Sequence, residues 1–543
     1  MPSESDPTLK SLHWARLLIV FVIAFDIAAF WQWSSGAYRS EFGGHPDEGA
    51  HYVSGLVVRD LMAELQANRH SAPDAAGSDS SGTPGKQLLG EHRSTRSAFW
   101  PPGLSIAQSA WSAGFGTSRL SVLLLVAALA AAVATLLYGA VRMEFGEWAA
   151  IAAALLWLCA GLVRESYGMV MPEMLGALTM FGAVLAWDRF LKCGSSAAIG
   201  SFALLSSVAL WTEGAGVSVL PMAGISLVWT RRWRLLARWD LWVMGALPLI
   251  ALIYVRKIPF ERFSFDGSSV INAAANYAPM LAFVAGLAVA GFAAAGVLIR
   301  CLPRDQRQGR WVAMASLVMS IFAYHCVSPG RMEARHVIAA APALILLAIA
   351  GAASIASATS RCITDAMERR RRESLWILLL VLLALPFEIL KPHRKEFDGF
   401  GAIARTLIAQ APRDARILIS SDATGEGMFI SELALGDCPT EMAVETAAMS
   451  LTTAEDPVAS PQNPRERFSD DGELLKYLTS GRIQYVLLDD ALPYRERAAY
   501  HDQIRRVLEE NVRSFWPILE SEITRGGEVL GRPAKLYRVI RDR

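Results

Sequence analysis

The sequence predicts a polytopic α-helical membrane protein with a C-terminal α/β domain, and three observations lead to this prediction. Of the 543 residues, 53% are hydrophobic and only 19% are charged, whereas soluble globular proteins carry about 25% charged residues. Apolar stretches long enough to cross a bilayer core of about 30 Å recur through residues 1–391. Basic residues accumulate in every second connection between these stretches, as expected for cytoplasmic loops.

The apolar stretches predict about eleven spans, because a helix needs about 20 apolar residues to cross the bilayer. The apolar run of the first span begins at Leu17, after Lys10 and Arg16, and ends in Phe30, Trp31 and Trp33. Aromatic residues at this end indicate an uncleaved span with an interface anchor. The predicted spans are 14–32, 118–141, 147–163, 168–190, 196–212, 214–230, 240–255, 276–300, 311–328, 336–357 and 374–391.

The distribution of charge predicts the orientation of these spans. With the N-terminus in the cytoplasm, the loops predicted inside carry basic residues, among them Arg142, Arg189 and Lys192 and the clusters at 231–238, 300–310 and 369–372. The loops predicted outside carry acids, including Asp47, Glu48, Glu173, Glu213 and Glu333. The sequence therefore predicts a multi-pass protein of the cytoplasmic membrane with an extracytoplasmic C-terminal region.

Two regions are predicted to lie outside the membrane. The first outer loop, residues 33–117, contains an amphipathic stretch at 49–66 that predicts an interfacial helix and a Ser-, Gly- and Pro-rich segment at 68–97. The C-terminal region, 392–543, contains two short apolar runs, Arg416–Ser420 and Tyr485–Asp489, that read as buried strands. Helical patterns at 399–410, 471–480 and 497–513 predict an α/β domain there. The membrane domain is therefore 1–391, with 33–117 as its loop.

Composition excludes several functional classes. The net charge is +1, so no basic excess predicts nucleic acid as a partner. The high hydrophobicity excludes a disordered chain. None of the six cysteines forms a CxxC motif, which argues against a zinc ribbon or a disulfide framework. Gly-rich phosphate loops and HExxH motifs are also absent.

A cluster of ionisable residues in the predicted outer loops follows the first span, in His45-Pro46-Asp47-Glu48-Gly49-Ala50-His51-Tyr52. One interpretation is structural, because Asp47 can cap the following helix with its carboxylate. The other is chemical, because a carboxylate at the membrane surface can act as the general base for an acceptor hydroxyl. Two adjacent acids can satisfy both interpretations.

Three further features carry charge at predicted outer ends of spans. Glu173 follows Pro172, where it can complement a helix dipole or act chemically. Arg331, Arg335 and His336 precede the tenth span and can anchor it at headgroups or bind phosphate. Arg256 and Lys257 lie on the outer side, where they can attract the phosphate of a lipid headgroup or of a substrate.

In order and sidedness these motifs resemble the GT-C superfamily of membrane glycosyltransferases, and most closely its family 39 group, which includes protein O-mannosyltransferases and the lipid A aminoarabinose transferase. The segment Pro46–Tyr52 resembles that family's Asp-Glu motif, and Phe99-Trp100-Pro101-Pro102 resembles its Pro-Pro motif. Glu173 stands where the family commonly has Asp. Arg335-His336 with Pro342 resembles its Arg-aromatic turn, with His in place of Tyr. The resemblance covers about residues 10–360.

The resemblance implies an inverting glycosyltransferase that moves a sugar from a polyprenyl-phosphate donor to a hydroxyl of a lipid, glycan or protein. Asp47 would be the general base, with Glu48 and Glu173 as further catalytic candidates. His51, Tyr52, Arg256, Lys257, Arg331, Arg335 and His336 would bind substrate. No cofactor is certain; a divalent metal remains open, with Glu48, His51 and Glu173 as candidate ligands.

Two alternatives from other classes remain. A transporter or flippase for a lipid-linked saccharide would place charged or broken helices at the bilayer midplane, whereas the acids here cluster at the outer ends of spans. A non-catalytic assembly protein for polysaccharide export would act through its outer domain. Replacement of Asp47 by Asn separates the transferase from both.

Overall fold

A computed structural model describes residues 7–70, 101–254, 266–301, 309–328, 332–359, 366–389, 394–436, 442–452, 466–529 and 531–540. The chain divides into two compact units. The first, here the helical unit, comprises Met1–Gln32, Pro101–Gly103 and Leu124–His393. The second, here the sheet unit, comprises Trp33–Trp100, Leu104–Leu123 and Arg394–Arg543. Most of the predicted first loop, 33–117, thus belongs to the same unit as the C-terminal region.

The helical unit is built from apolar helices with a core of Ala, Leu, Ile, Val and aromatic side chains. Its α-helices are Pro7–Ser34, Arg119–Phe145 (shared with the sheet unit), Glu147–Cys159, Gly161–Tyr167, Glu173–Cys193, Ser196–Thr212, Val219–Thr230, Trp239–Tyr254, Gly267–Phe283, Leu287–Arg300, Gly309–Val327, Ala341–Thr359 and Ala366–Ile389. A 3₁₀-helix, Ala334–Ala340, leads into Ala341–Thr359.

Within the described ranges, 5 helical segments are long and apolar enough to cross a membrane, or 7 if each of two bent pairs counts as one span. They are His13–Ser34, Arg119–Phe145, Glu173–Cys193, Gly309–Val327 and Ala334–Thr359, with the pairs Glu147–Cys159 plus Gly161–Tyr167 and Gly267–Phe283 plus Leu287–Arg300. Shorter apolar helices occupy the predicted spans 196–212, 214–230 and 240–255. The count of eleven therefore stays a prediction.

Two predicted spans are broken. The helices Gly267–Phe283 and Leu287–Arg300 meet at 101°, so the predicted span 276–300 is interrupted and is not one continuous helix. The physical reason is Gly286, whose φ of 92° lies outside the right-handed helical region. The predicted span 147–163 bends by 64° at Ala160, whose ψ is 130°.

Helix packing in this unit depends on close backbone approach at glycine. A Cβ atom on Gly351 would lie 2.0 Å from the carbonyl oxygen of Phe292, and one on Gly296 would lie 2.2 Å from that of Leu347. Small residues that let two backbones touch are typical of helix pairs in membranes. The close packing of the helices Leu287–Arg300 and Ala341–Thr359 therefore depends on this pair of glycines.

We expect Gly351→Ala to lower the free energy of unfolding by about 1–3 kcal/mol, because the added methyl group overpacks the contact. Gly291→Ala is the matched control on the same helix pair, since a Cβ atom added there would have nothing within 4 Å. The control should be neutral or stabilising by about 0.5–1 kcal/mol. Denaturation of the purified protein in detergent, followed by circular dichroism, measures both; equal effects of the two substitutions would contradict the packing argument.

The strands of the sheet unit are β1 Phe397–Asp398, β2 Arg416–Ser420, β3 Ala443–Thr446, β4 Tyr485–Asp489, β5 Phe515–Ser521, β6 Thr524–Arg525, β7 Glu528–Val529 and β8 Ala534–Val539. The larger sheet is five-stranded and mixed, with the order β3-β2-β4-β8-β5. Strand β2 pairs in parallel with β3 and β4, whereas β8 is antiparallel to both β4 and β5. A smaller sheet has the order β1-β6-β7.

Helices cover both faces of the larger sheet, each over its own apolar core. The C-terminal helices are Phe400–Gln410, Ala423–Leu435, Ala447–Ser450, Asp471–Thr479 and Ala499–Glu510. The predictions of strands at Arg416–Ser420 and Tyr485–Asp489, and of helices at 399–410, 471–480 and 497–513, are confirmed to within a few residues. The α/β character of the region is therefore confirmed.

The helix of the first loop, Glu48–His70, packs on the helix Ala423–Leu435 of the same unit. The crossing is so close that a Cβ atom on Gly49 would lie 2.3 Å from the carbonyl oxygen of Gly427. Farther along, Leu61, Met62 and Leu65 are exposed. The first part of the helix thus packs on the C-terminal domain, and its interfacial location stays a prediction. Residues 71–100 lie outside the described residues. They include most of the predicted segment 68–97 and the Phe99-Trp100 part of the Pro-Pro motif.

Candidate catalytic site

Asp47 and Glu48, adjacent in sequence, lie in different environments at the start of the loop helix. Asp47 directly precedes the helix, and its carbonyl accepts a hydrogen bond from the His51 N–H at 3.0 Å. Its own N–H donates to His45 Nδ1 at 3.0 Å, and the His45 ring nitrogen lies 3.7 Å from the Asp47 carboxylate. The Asp47 side chain is 18% exposed, whereas that of Glu48 is 0% exposed.

The buried Glu48 carboxylate is held by two donors. Lys395 Nζ donates to Glu48 Oε1 at 2.5 Å, and the Gly44 N–H donates to Glu48 Oε2 at 2.9 Å. Lys395 is itself buried; burial lowers the pKa of its ammonium group, and the neighbouring Glu48 charge opposes that shift. Because each charge compensates the other, this pair can exist away from water.

Aromatic and cationic side chains surround the pair. The centroid of the Phe42 ring lies 5.8 Å from Lys395 Nζ, 5.4 Å from the Arg119 guanidinium carbon and 4.7 Å from the centroid of the Tyr52 ring. The Tyr52 hydroxyl donates to the Thr117 carbonyl at 2.9 Å. The two predicted substrate-binding residues of this segment, His51 and Tyr52, are therefore both buried in the sheet unit.

A third acid of the first loop, Glu41, caps a C-terminal helix. Its carboxylate accepts hydrogen bonds from the backbone N–H groups of Gly399, Phe400 and Gly401, at 3.1, 3.2 and 2.6 Å. These groups open the helix Phe400–Gln410, whose dipole favours a negative charge. Burial nevertheless raises the pKa of Glu41 to about 7, with a contribution from the nearby Glu432, which is paired with Arg119.

This raised pKa predicts a pH-dependent contribution to stability. The folded protein binds the Glu41 proton more tightly than the unfolded chain, whose pKa is about 4.5, so the contribution is present below pH 4.5 and is lost as the pH rises to about 7. Ionisation of Glu41 should lower the free energy of unfolding of the wild type by up to about 3 kcal/mol as the pH rises across this range. We expect this decrease to be absent in Glu41→Gln, whose amide does not ionise.

Chemical denaturation at a series of pH values measures this effect. Glu522→Gln, at an exposed position, serves as the control and should leave the wild-type pH dependence in place. Parallel stability curves for wild type and Glu41→Gln would show that Glu41 does not titrate in this range.

The helical unit holds a second charged cluster, centred on Arg335. Its Nη1 donates to Glu173 Oε1 at 3.0 Å, and its Nε donates to Glu333 Oε2 at 2.5 Å. Glu333 also lies 3.9 Å from the ring nitrogen Nε2 of His336. The sequence-predicted residues Glu173, Arg335 and His336 thus come together, and Arg335 bridges two carboxylates that are far apart in the chain.

An aromatic group extends this cluster. The ring centroids of His325 and His336 lie 5.4 Å apart with an interplanar angle of 10°, and Tyr277 stacks on His325 at 5.0 Å. The Tyr277 hydroxyl lies 3.4 Å from His336 Nδ1. Glu213 lies close to the helix that begins at Glu173, since a Cβ atom on Gly176 of that helix would be 2.7 Å from Glu213 Oε2.

We expect Arg335→Lys to lower the free energy of unfolding by about 1–3 kcal/mol, because a single ammonium group cannot reproduce two contacts made by separate guanidinium nitrogens. Arg189→Lys, a substitution of an exposed arginine in the same unit, is the control and should be neutral within about 0.5 kcal/mol. Denaturation in detergent measures both. An unchanged stability in Arg335→Lys would indicate that the bridge contributes nothing.

The predicted site residues are distributed over both units and over segments outside the described residues. Asp47, Glu48, His51 and Tyr52 belong to the sheet unit, and Glu173, Arg335 and His336 belong to the helical unit. Arg256, Lys257 and Arg331 lie outside the described residues. No group of three or more His, Cys, Asp or Glu side chains suited to a metal ion occurs in the ranges described above.

Several residues of these clusters were missed by sequence reasoning, namely Glu41, Lys395, Glu213 and Tyr277. Lys395 and Glu48 are 347 residues apart, and Arg335 and Glu173 are 162 apart. Local spacing carries no signal for such contacts. Glu41 stands only six residues before Asp47, so a search for further acids in the first loop would have found it.

Comparison with known proteins identifies the fold. No protein-family model and no curated protein matches the chain. Among solved structures, ArnT from Cupriavidus metallidurans bound to undecaprenyl phosphate is similar, with 15% identity, a TM-score of 0.53 and 98% of each chain covered.

Two further solved structures share this fold. The archaeal oligosaccharyltransferase AglB from Archaeoglobus fulgidus, in complex with an inhibitory peptide and a dolichol-phosphate, has 13% identity and a TM-score of 0.52; the match covers 87% of this chain and 69% of AglB. The arabinofuranosyltransferase AftD from Mycobacteria has 15% identity and a TM-score of 0.51, covering 96% of this chain and 41% of AftD. The chain shares the fold of these structures, and the resemblance to the GT-C superfamily stated from the sequence is confirmed at the level of the fold.

Proposed function

We propose that this chain is a glycosyltransferase that moves a sugar from a polyprenyl-phosphate donor to a hydroxyl acceptor on the outer face of the cytoplasmic membrane, with Asp47 as the general base. Two lines of support exist. The fold is that of transferases, and two of its neighbours were solved with undecaprenyl phosphate or dolichol-phosphate bound. The positive-inside distribution of Lys and Arg supports the outer location of the first loop.

The assignment of Asp47, and not Glu48, as the base depends on one observation. Of the two adjacent acids, Glu48 is fully buried and paired with Lys395, whereas Asp47 keeps an exposed edge. A general base must reach the proton that it removes. Asp47 can meet an acceptor hydroxyl, and Glu48 cannot do so without breaking its ion pair.

The proposed reaction is a single displacement. The Asp47 carboxylate takes the proton of the acceptor hydroxyl while that oxygen forms a bond to the anomeric carbon of the sugar. The bond between the anomeric carbon and the phosphate oxygen breaks, and polyprenyl phosphate leaves with the electron pair. Attack opposite to the leaving group inverts the configuration at the anomeric carbon. Positively charged groups would stabilise the departing phosphate.

Two of the three predicted metal ligands do not fit a divalent ion in their present contacts. Glu48 is engaged by Lys395 and the Gly44 N–H, and Glu173 is engaged by Arg335. The proposed reaction therefore assigns no step to a metal. The same contacts favour a structural role for Glu48, and for Glu173 the role of holding Arg335.

We expect Asp47→Asn to lower the transfer rate about 10²–10⁴-fold, the range that general base catalysis contributes. The measurement is mass spectrometry of surface glycolipids, glycans and proteins from cells that lack the chain and are complemented with each variant. A sugar missing in the deletion, restored by wild type and not by Asp47→Asn, identifies donor and acceptor together.

Asp60→Asn is the matched control, because Asp60 lies on the same helix, paired with Arg59 at the surface. It should restore the sugar fully. Full restoration by Asp47→Asn as well would contradict the proposal and favour a flippase or an assembly protein, for which no proton transfer at Asp47 is needed.

A further inference from the structure

The segment that carries Asp47 is closed into a turn by its neighbour Glu48. The Glu48 N–H donates to the His45 carbonyl at 3.0 Å, and the Glu48 carboxylate accepts from the Gly44 N–H at 2.9 Å. Asp47 lies inside this turn, with its N–H donated to His45 Nδ1. The direction of the Asp47 side chain therefore depends on where the Glu48 carboxylate is held.

Lys395 holds that carboxylate and is itself fixed. Its backbone N–H donates to the Ser35 carbonyl at 2.8 Å, which ties residue 395 to the beginning of the first loop. Its ammonium group lies against the Phe42 ring and is 2.5 Å from Glu48 Oε1. The side chain is only 2% exposed, so it has little freedom to leave the pair.

Stability alone gives a weak reason for this arrangement. A buried ion pair replaced by apolar residues of similar volume is often equally stable, because desolvation offsets the attraction between the charges. An apolar pair could fill this position, but it could not accept the Gly44 N–H and close the turn. The feature that only the ion pair supplies is the fixed orientation of the turn.

We propose that Lys395 is a positioning residue: from the C-terminal domain it fixes the Glu48 carboxylate and thereby the orientation of the Asp47 general base. This inference rests on the proposed function and adds a role for the C-terminal domain, which supplies Lys395. It predicts that stability and turnover separate when the pair is replaced as a whole.

The test compares Glu48→Met/Lys395→Met with wild type, using purified full-length protein in detergent. Three quantities are measured: the midpoint of thermal unfolding, the affinity for undecaprenyl phosphate, and kcat and KM with the polyprenyl-phosphate sugar pool extracted from cells that lack the chain. Lys395→Met alone should unfold at a lower temperature, because it leaves the Glu48 charge buried without its cation.

The double variant should recover the wild-type midpoint and bind undecaprenyl phosphate as wild type does. Its kcat should nevertheless fall about 10²-fold, the effect of a misplaced catalytic group, while KM for the donor changes less than about threefold. Arg394→Met, at the exposed neighbour of Lys395, is the control and should match wild type in every measurement. Wild-type kcat in the folded double variant would overturn the proposal.

Glu48→Gln keeps the test decisive if the double variant does not fold. The amide has the size of the carboxylate, but Lys395 and Gly44 donate to different oxygens of Glu48, and the amide replaces one of these oxygens by an NH₂ group that cannot accept. A folded Glu48→Gln protein with lowered kcat and unchanged donor KM supports the proposal, and one with wild-type kcat contradicts it.

Asp47→Asn, assayed in parallel, separates this inference from the proposed function. If Asp47→Asn turns over at the wild-type rate, the assignment of the base fails, and the inference fails with it. If Asp47→Asn is inactive while Glu48→Gln and the double variant are fully active, only the positioning role fails.

Discussion

The sheet unit depends on one constraint, which is that buried or half-buried charges in its two N-terminal segments must be compensated by residues far away in the chain. Glu48 meets Lys395, Glu41 meets the first N–H groups of the helix Phe400–Gln410, and Arg119 meets Glu432. A buried charge that lost its partner would cost several kcal/mol. The three separate segments of this unit are therefore tied to each other by charge as well as by apolar packing.

The C-terminal domain could be predicted from the sequence because its signals are local. The apolar runs Arg416–Ser420 and Tyr485–Asp489 are short and bounded by polar turns, and each is a buried strand. The membrane helices were found for the same reason, but their breaks were not. Hydropathy averages over a window, so a single residue such as Gly286, with its positive φ, does not register although it turns the chain by 101°.

The candidate site was predictable only in part. The position of Asp47 after the first span was enough to select it, but no sequence pattern could decide between two adjacent acids. Their difference arises from Lys395, 347 residues away from Glu48. Arg335 shows the same limit: its charge alone left headgroup anchoring and phosphate binding open, whereas its contacts with Glu173 and Glu333 show that the charge is already shared between two carboxylates.

The buried carboxylates of Glu41 and Glu48, both in the first loop, are compensated by different means. Glu48 faces the full positive charge of Lys395. Glu41 faces only the partial charges of three N–H groups, with the acidic Glu432 nearby, and burial then dominates and raises the pKa of Glu41 to about 7. Ionisation of Glu41 strengthens its hydrogen bonds to the three N–H groups but places a negative charge without a full counter-charge in a buried site. Of the two acids, the one that closes the Asp47 turn is thus the one whose charge is compensated by a full positive charge.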